Sequence, residues 1–260
     1  MILVATGLKR EARILAGLGL QVVAGGGDGA RLERELEAAA AGAEAVISMG
    51  LCGALAGELK PGDWVVADRL LLFPLIPAIA GTQALALPDP PAPDLQEKNQ
   101  GPRFRGVERT FQCDHSWSAI LADRLSAQIG PVLGSAEMIA DTHAKRAAHA
   151  QTSALAADME SHIAAAVAAR HGLPFAVARV VSDAADRSLP KAAQAGMAAD
   201  GSMDIAAVLK ALAADPRQLP ALIRVGGEAE SAFRALGRGR DLLGPGLGRL
   251  DLGKLPLNVV

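Results

Sequence analysis

The sequence contains no tyrosine, and with five phenylalanines and two tryptophans its aromatic residues amount to 3% of 260. Proteins that hold single-stranded nucleic acid stack bases on rings, and this chain has few rings to offer. An excess of positive charge is missing too. Lys and Arg number 26 against 28 Asp and Glu, a formal net charge of −2. No nucleic-acid partner is expected, since such proteins carry a basic patch or stripe. Two cysteines, Cys52 and Cys113, are too few for a disulfide framework and fit a reducing compartment. The start, Met1-Ile2-Leu3-Val4-Ala5-Thr6-Gly7, lacks the basic region and cleavage site of a secretory signal, so a cytoplasmic location is expected. One long uncharged run exists, the 19 residues from Leu70 to Pro88. Its length is that of a membrane span, but Pro74, Pro77 and the Gly81-Thr82-Gln83 break interrupt it. A strand running into an apolar loop is the expected form.

Half of the residues are hydrophobic, which excludes disorder and allows a large core. Short apolar runs alternate with helical stretches. Strands are expected at Ile2–Thr6, Gln21–Ala24, Ala45–Met49, Trp64–Leu72, Pro131–Leu133, Ala154–Asp158 and Phe175–Val181. Helices are expected at Glu11–Leu18, Arg31–Ala41, Ser116–Gln128, Ala144–His149, Ser161–His171, Ile205–Ala214 and Leu219–Leu236. Continuous apolar strands between helices indicate a mainly parallel sheet covered on both faces. Residues 74–102 hold seven of the fifteen prolines and mark a Pro-rich insertion, taken as 74–112. The expected division is a catalytic domain over 1–200 and a helical C-terminal extension over 201–260, with Leu242–Leu257 irregular.

In open parallel sheets ligands bind beyond the carboxyl ends of the strands. The polar residues expected there are Lys9, Arg10 and Glu11 after the first strand, and Asp158, Glu160 and Ser161 after Ala154–Ala157. Ser182, Asp183 and Asp186 follow Phe175–Val181, and Gly50-Leu51-Cys52-Gly53 closes Ala45–Met49. Each has an ordinary explanation: Glu11 as a first-turn carboxylate, Glu160 and Asp183 as caps, the glycines as turns. Four strand ends contributing to one polar rim argue for acid–base chemistry on a small polar substrate. No His or Cys pair has metal-ligand spacing, so no metal and no cofactor are expected.

Asp158-Met159-Glu160-Ser161, followed by Arg179-Val180-Val181-Ser182-Asp183-Ala184-Ala185-Asp186, resembles the signature of the nucleoside phosphorylase/nucleosidase superfamily. Gly50 to Leu55 with Lys60 to Val66 is similar to that family's central glycine segment and following strand, and Gly7 to Glu11 to the N-terminal loop of its adenosine nucleosidases. The resemblance covers roughly residues 1–72 and 131–190. Asp158 to His162, Ser188-Leu189-Pro190 and Asp215 to Pro220 resemble the hopanoid-biosynthesis-associated, phosphorylase-like members. The resemblance implies a three-layer α/β/α sandwich around a central mixed, mainly parallel sheet. It also implies a homo-oligomer and a small-molecule nucleoside partner.

Roles follow from the same likeness. Asp183 would protonate the departing purine, supported by Ser182 and Arg179. Glu160 would hold the ribose hydroxyls, with Met159 against the sugar. Glu11 would orient or deprotonate water, and Gly50, Leu51, Cys52 and Gly53 would approach the nucleophile. Backbone groups at Met138 and Ile139 would meet the base, where Ala136 to Ile139 offers no aromatic ring, so Met and aliphatic side chains are expected to clamp base or sugar. If phosphate replaced water as co-substrate, Arg10 and Lys9 would bind it, because cations at a helix N-terminus suit an anion. In the hopanoid-associated members the substrate would be adenosylhopane, with residues 70–88 as an apolar lip and peripheral membrane contact. The alternatives are a methylthioadenosine/adenosylhomocysteine-type nucleosidase, a general purine nucleoside phosphorylase, or a non-catalytic nucleoside- or lipid-binding protein on the same scaffold.

Overall fold

The computed structural model describes residues 1–72, 109–196, 198 and 201–249. In chain order the strands are β1 (Ile2–Thr6), β2 (Leu20–Ala24), β3 (Ala45–Ala54), β4 (Trp64–Leu72), β5 (Arg109–Gln112), β6 (Gln128–Gly134), β7 (Ala156–Asp158) and β8 (Phe175–Asp183). The helices are α1 (Lys9–Leu15), α2 (Gly29–Ala40), α3 (His115–Leu125), α4 (Thr142–Thr152), α5 (Ser161–Arg170), α6 (Lys191–Ala195), α7 (Ile205–Ala214) and α8 (Leu219–Leu243).

Strand β1 shows why three layers form. All five of its residues are buried. Leu3 and Ala5 pack with Leu32 and Leu36 of α2 and Val167 of α5 on one face. Ile2 and Val4 pack with Leu15 of α1, Trp117 and Leu121 of α3, and Leu236 of α8 on the other. Alternating side chains thus need helices on both faces, which is what a continuous apolar strand signals.

The sheet is mixed, with five parallel pairings and three antiparallel ones. It is not the open sheet from which the strand-end argument began. Strands β3, β8, β4, β6 and β7 pair in a closed ring, antiparallel where β7 meets β3 and where β4 meets β8. The ring tightens at one place. Cys52 of β3 pairs with Val181 of β8, but Gly53 pairs with Asp183, so Ser182 is an extra residue. Such a bulge bends a strand and re-aims its side chains.

Several boundaries differ from expectation. Gly50 and Gly53 do not close a strand: β3 runs through both to Ala54, since β8 and β7 continue to pair with it. Residues 109–112, expected in the irregular insertion, form β5 because β4 offers them an antiparallel edge from Leu72 to Arg69. Helix α8 continues to Leu243, with Leu243 buried against the core, rather than ending at Leu236. The remainder of the 74–112 insertion, the apolar run beyond Leu72 and residues 250–257 lie outside the described residues. Among the described residues no helix is long and apolar enough to cross a membrane.

Helix α8 packs against β8, α1 and α3. Gly239 makes the approach close: a Cβ there would lie 2.3 Å from Cζ2 of Trp64 and 2.9 Å from Cδ2 of Leu125. Alanine in mid-helix ordinarily stabilises by about 1 kcal/mol over glycine. Here the clash with a buried indole opposes that, and overpacking of this kind costs about 1–3 kcal/mol. Gly239→Ala is expected to lower the urea midpoint, and an unchanged or raised midpoint would show that α8 has room to shift.

Candidate active site

Five carboxyl side chains line one cavity of about 250 Å³: Glu11, Glu137, Asp158, Glu160 and Asp183. Leu51, Cys52, Gly53, Met138, Ile139, Met159 and Ser182 also line it. These residues come from α1, β3, the segment after β6, the β7–α5 junction and the end of β8, so the fold assembles the rim from elements far apart in sequence.

Glu11 is 2% exposed although it lies in the first turn of a short helix. Its Oε2 accepts hydrogen bonds from Thr6 Oγ1 at 2.7 Å and from the Leu8 N–H at 2.5 Å. Its Oε1 accepts from the Leu51 N–H at 2.7 Å. The capping role is therefore real, and it coexists with a place on the cavity. The same turn explains why Lys9 and Arg10 are elsewhere. Successive helical residues point about 100° apart, so α1 can aim only one of the three inward. Lys9 and Arg10 are exposed and do not line the cavity. Arg10 pairs with Glu230 of α8 at 2.7 Å and lies over the Phe233 ring, 4.0 Å from its centroid.

Arg179 is wholly buried behind the cavity rather than in it. Its expected support of Asp183 is not what it provides. Its Nε lies 3.1 Å from Oδ2 of Asp158, and its Nη1 lies 3.3 Å from Oε2 of Glu160. It also donates to Ser48 Oγ at 2.5 Å and to the Leu51 carbonyl at 3.3 Å. Side chains alternate along β8, so 179 and 183 would share a face in a regular strand; the bulge at Ser182 breaks that alternation, and Asp183 lines the cavity while Arg179 does not. Asp158 caps α5 by accepting from the Glu160 and Ser161 N–H groups. Burial pushes the Glu160 carboxyl up to about 8, with Arg179 opposing and the Asp158 and Glu11 carboxylates adding to the rise.

Asp183 is held at both oxygens. Oδ2 accepts from Lys145 Nζ at 2.5 Å, and Oδ1 lies 2.9 Å from Ser182 Oγ. Lys145 lines the cavity and, like Leu189, Val225 and Phe233, is a candidate-site residue that sequence reasoning did not find. It stands in Thr142-His143-Ala144-Lys145-Arg146, a stretch that reads as a solvated helix surface, and no local pattern marks it as buried.

Glycines explain how carboxylates crowd so close to strands. A Cβ on Gly7 would lie 2.9 Å from Glu160 Oε1 and 3.3 Å from Glu11 Oε2. One on Gly50 would lie 2.8 Å from Thr6 Oγ1 and 2.9 Å from Glu11 Oε1, and one on Gly53 would lie 3.1 Å from Asp183 Oδ2. Gly50 thus acts from behind, as the surface on which Glu11 and Arg179 rest. The cavity also has an apolar lining of Leu8, Leu189, Met203, Val225 and Phe233 with Met138, Ile139 and Met159. An aromatic ring does reach the cavity, but it comes from α8 and not from the 136–139 segment. Among the described residues no group of three or more His, Cys, Asp or Glu is arranged to hold a metal ion.

The phosphorylase superfamily model matches residues 20–214. No curated protein matches the chain in sequence. Among solved structures, the chain is similar to the 5′-methylthioadenosine/S-adenosylhomocysteine nucleosidase of Helicobacter pylori, at TM-score 0.57 and 15% identity, over 93% of this chain and 95% of that one. It is similar to S-adenosylhomocysteine nucleosidase of Streptococcus pyogenes, at TM-score 0.52 and 23% identity, over 71% and 84%. Futalosine hydrolase of Helicobacter pylori matches at TM-score 0.52 and 17% identity, over 70% and 87%. At such identities the likeness is one of fold.

Glu160 gives this site a pH signature. Its carboxyl is raised from 4.5 to about 8, so between those values the folded chain holds a proton that the unfolded chain has lost. Stability from this group is present below the unfolded value and is lost as pH rises through the folded one. Denaturation at pH 5 and pH 8.5 should therefore show a smaller loss for Glu160→Gln than for the wild type. Equal losses would mean that Glu160 is ionised in the free protein throughout.

Proposed function

The chain belongs to the phosphorylase superfamily, and on that premise we propose that it cleaves the N-glycosidic bond of a 5′-substituted adenosine. The observation that carries this reading is the convergence of Glu11, Glu160 and Asp183 on one cavity whose lining is otherwise largely apolar.

Breaking the C1′–N9 bond sends its electron pair to the purine and leaves positive charge on the ribose. Asp183, in its acid form, gives a proton to N7 of the base and neutralises the departing charge. Glu160, as a carboxylate, accepts hydrogen bonds from the ribose hydroxyls and stabilises the cationic sugar. Because its carboxyl is raised in the free protein, its proton passes to solvent as the ribose hydroxyls bind. Glu11 takes a proton from water as the water oxygen bonds to C1′. The three donors on Glu11 fix its carboxylate for that role.

Water is favoured over phosphate as the co-substrate. Arg10 and Lys9 are exposed and do not line the cavity. The two buried cations near it are committed: Arg179 to Asp158 and Glu160, and Lys145 to Asp183. A phosphate dianion would meet the acidic side chains that line the cavity, with no cation free among those four residues except at the cost of these contacts.

The apolar wall from Leu8, Val225 and Phe233 suits a hydrocarbon 5′ substituent. With the resemblance of Asp158 to His162 and Ser188 to Pro190, it supports adenosylhopane as the substrate and a place in hopanoid biosynthesis, with membrane contact and self-association as accompanying proposals. Of the lip expected at 70–88, Leu70 to Leu72 end β4, with Leu70 and Leu71 buried in the core, and 73–88 lie outside the described residues.

The direct test is adenine release with and without phosphate. Release without phosphate and without a ribose-1-phosphate product is expected, and a strict phosphate requirement would reverse the choice of nucleophile. Asp183→Asn and Glu160→Gln should each lower turnover by at least about 10²-fold with the fold retained. Near-native kinetics in either variant would refute its role. A 5′-alkyl adenosine with a large tail should be cleaved at least as well as methylthioadenosine, and a strong preference for methylthioadenosine would exclude the hopanoid substrate.

A further inference from the structure

Lys145 has an accessible side-chain surface of 0%. A buried ammonium is costly unless every proton on it is received by an acceptor. Lys145 meets that condition. Besides Asp183 Oδ2, its Nζ donates to the carbonyls of Ala184 at 2.9 Å and Arg187 at 3.0 Å. Three acceptors use all three protons of the ammonium. Only Lys145 and Thr152 are buried in α4. The lysine thus ties this helix to the end of β8 and the segment behind it, where Arg187 in turn pairs with Glu228 of α8.

The other oxygen of Asp183 carries a second constraint. Ser182 Oγ lies 3.1 Å from the Cys52 carbonyl and 2.9 Å from Asp183 Oδ1. A hydroxyl has one proton, and a carbonyl can only accept. Beside a carboxylate Ser182 donates to Oδ1; when it donates to Cys52 instead, the contact with Oδ1 is a hydrogen bond only if the proton sits on Oδ1. That is the acid form of Asp183.

We infer that Lys145 is a positioning residue for the leaving-group acid: by donating to Oδ2 it leaves Oδ1, beside Ser182, as the oxygen that carries the proton destined for the purine. This rests on the reading of Asp183 as that acid. In the step itself the O–H bond at Oδ1 breaks as the N7–H bond forms, and the Asp183 carboxylate that results is met by the ammonium already in place. Lys145 keeps its own protons throughout.

The test separates this role from a merely structural one by the leaving group. A purine methylated at N7 departs neutral and needs no proton there. The probes are 5′-butylthioadenosine and its N7-methyl derivative, assayed with wild type, Lys145→Met and Asp183→Asn. Lys145→Met should lower kcat on the first probe by at least about 10-fold, with KM changed far less, and stay within about threefold of wild type on the second. Asp183→Asn should show the same split, and the double variant should be no worse than Asp183→Asn alone. Equal losses on both probes would assign Lys145 to structure only, and no loss on either would remove it from the mechanism; both overturn the inference. Should Lys145→Met fail to fold, Lys145→Ala with added methylammonium serves instead: recovered turnover on the first probe supports the inference, and a folded variant without recovery overturns it. Wild-type protein that released a purine from neither probe would overturn the nucleoside reading itself, and this inference with it.

Discussion

Arg179 is the constraint on which the rest of the site depends. It leaves the middle of β8, is fully buried, and reaches Asp158 at the end of β7, Glu160 at the start of α5 and Ser48 in β3. The closing contact of the strand ring, where β7 meets β3, is only two residue pairs long. Arg179 braces that short contact from inside. An isolated buried guanidinium would be strongly unfavourable, and removing one partner of such a group leaves an uncompensated charge. The arginine therefore compels acidic residues to stand near it, and the fold places them at one edge of a cavity.

One cation among several carboxylates leaves negative charge in excess. Asp158 takes the Nε side of the guanidinium and caps α5. Glu160 is left with the longer contact, and its burial outweighs the attraction of Arg179, so its carboxyl is raised to about 8. A ligand that brings hydroxyl donors and developing positive charge would relieve that condition. The electrostatics of the site are unfavourable in the way that a cationic transition state would correct.

Backbone geometry makes this crowding sterically tolerable. Gly7, Gly50 and Gly53 each lie where a side chain would collide with Glu160, Glu11 or Asp183. The bulge at Ser182 turns Asp183 toward Lys145 while Arg179 stays with Asp158. Two buried cations thus serve two separate carboxylate groups, and the apolar face of α8 encloses the space between them.

Much of this was legible in the residues. The strands and most helices follow from runs of apolar side chains, and the carboxylates follow from their position just beyond those runs. Such patterns are carried by a few consecutive residues, so periodicity and capping chemistry expose them. Glu11, Glu160 and Asp183 were recognisable in this way. The partners of those carboxylates were not. Lys145 and Asp183 lie 38 positions apart, and a lysine in a polar helix looks the same in sequence whether it meets water or a buried acid. Arg10 turned to Phe233 of α8 because helix geometry gave the inward direction to Glu11. The sequence by itself determined which elements form and which acids stand at their ends, because those are local properties. Only the tertiary structure decided which cation meets which acid and how the sheet closes, because charge pairing and ring closure depend on residues that chain order keeps apart.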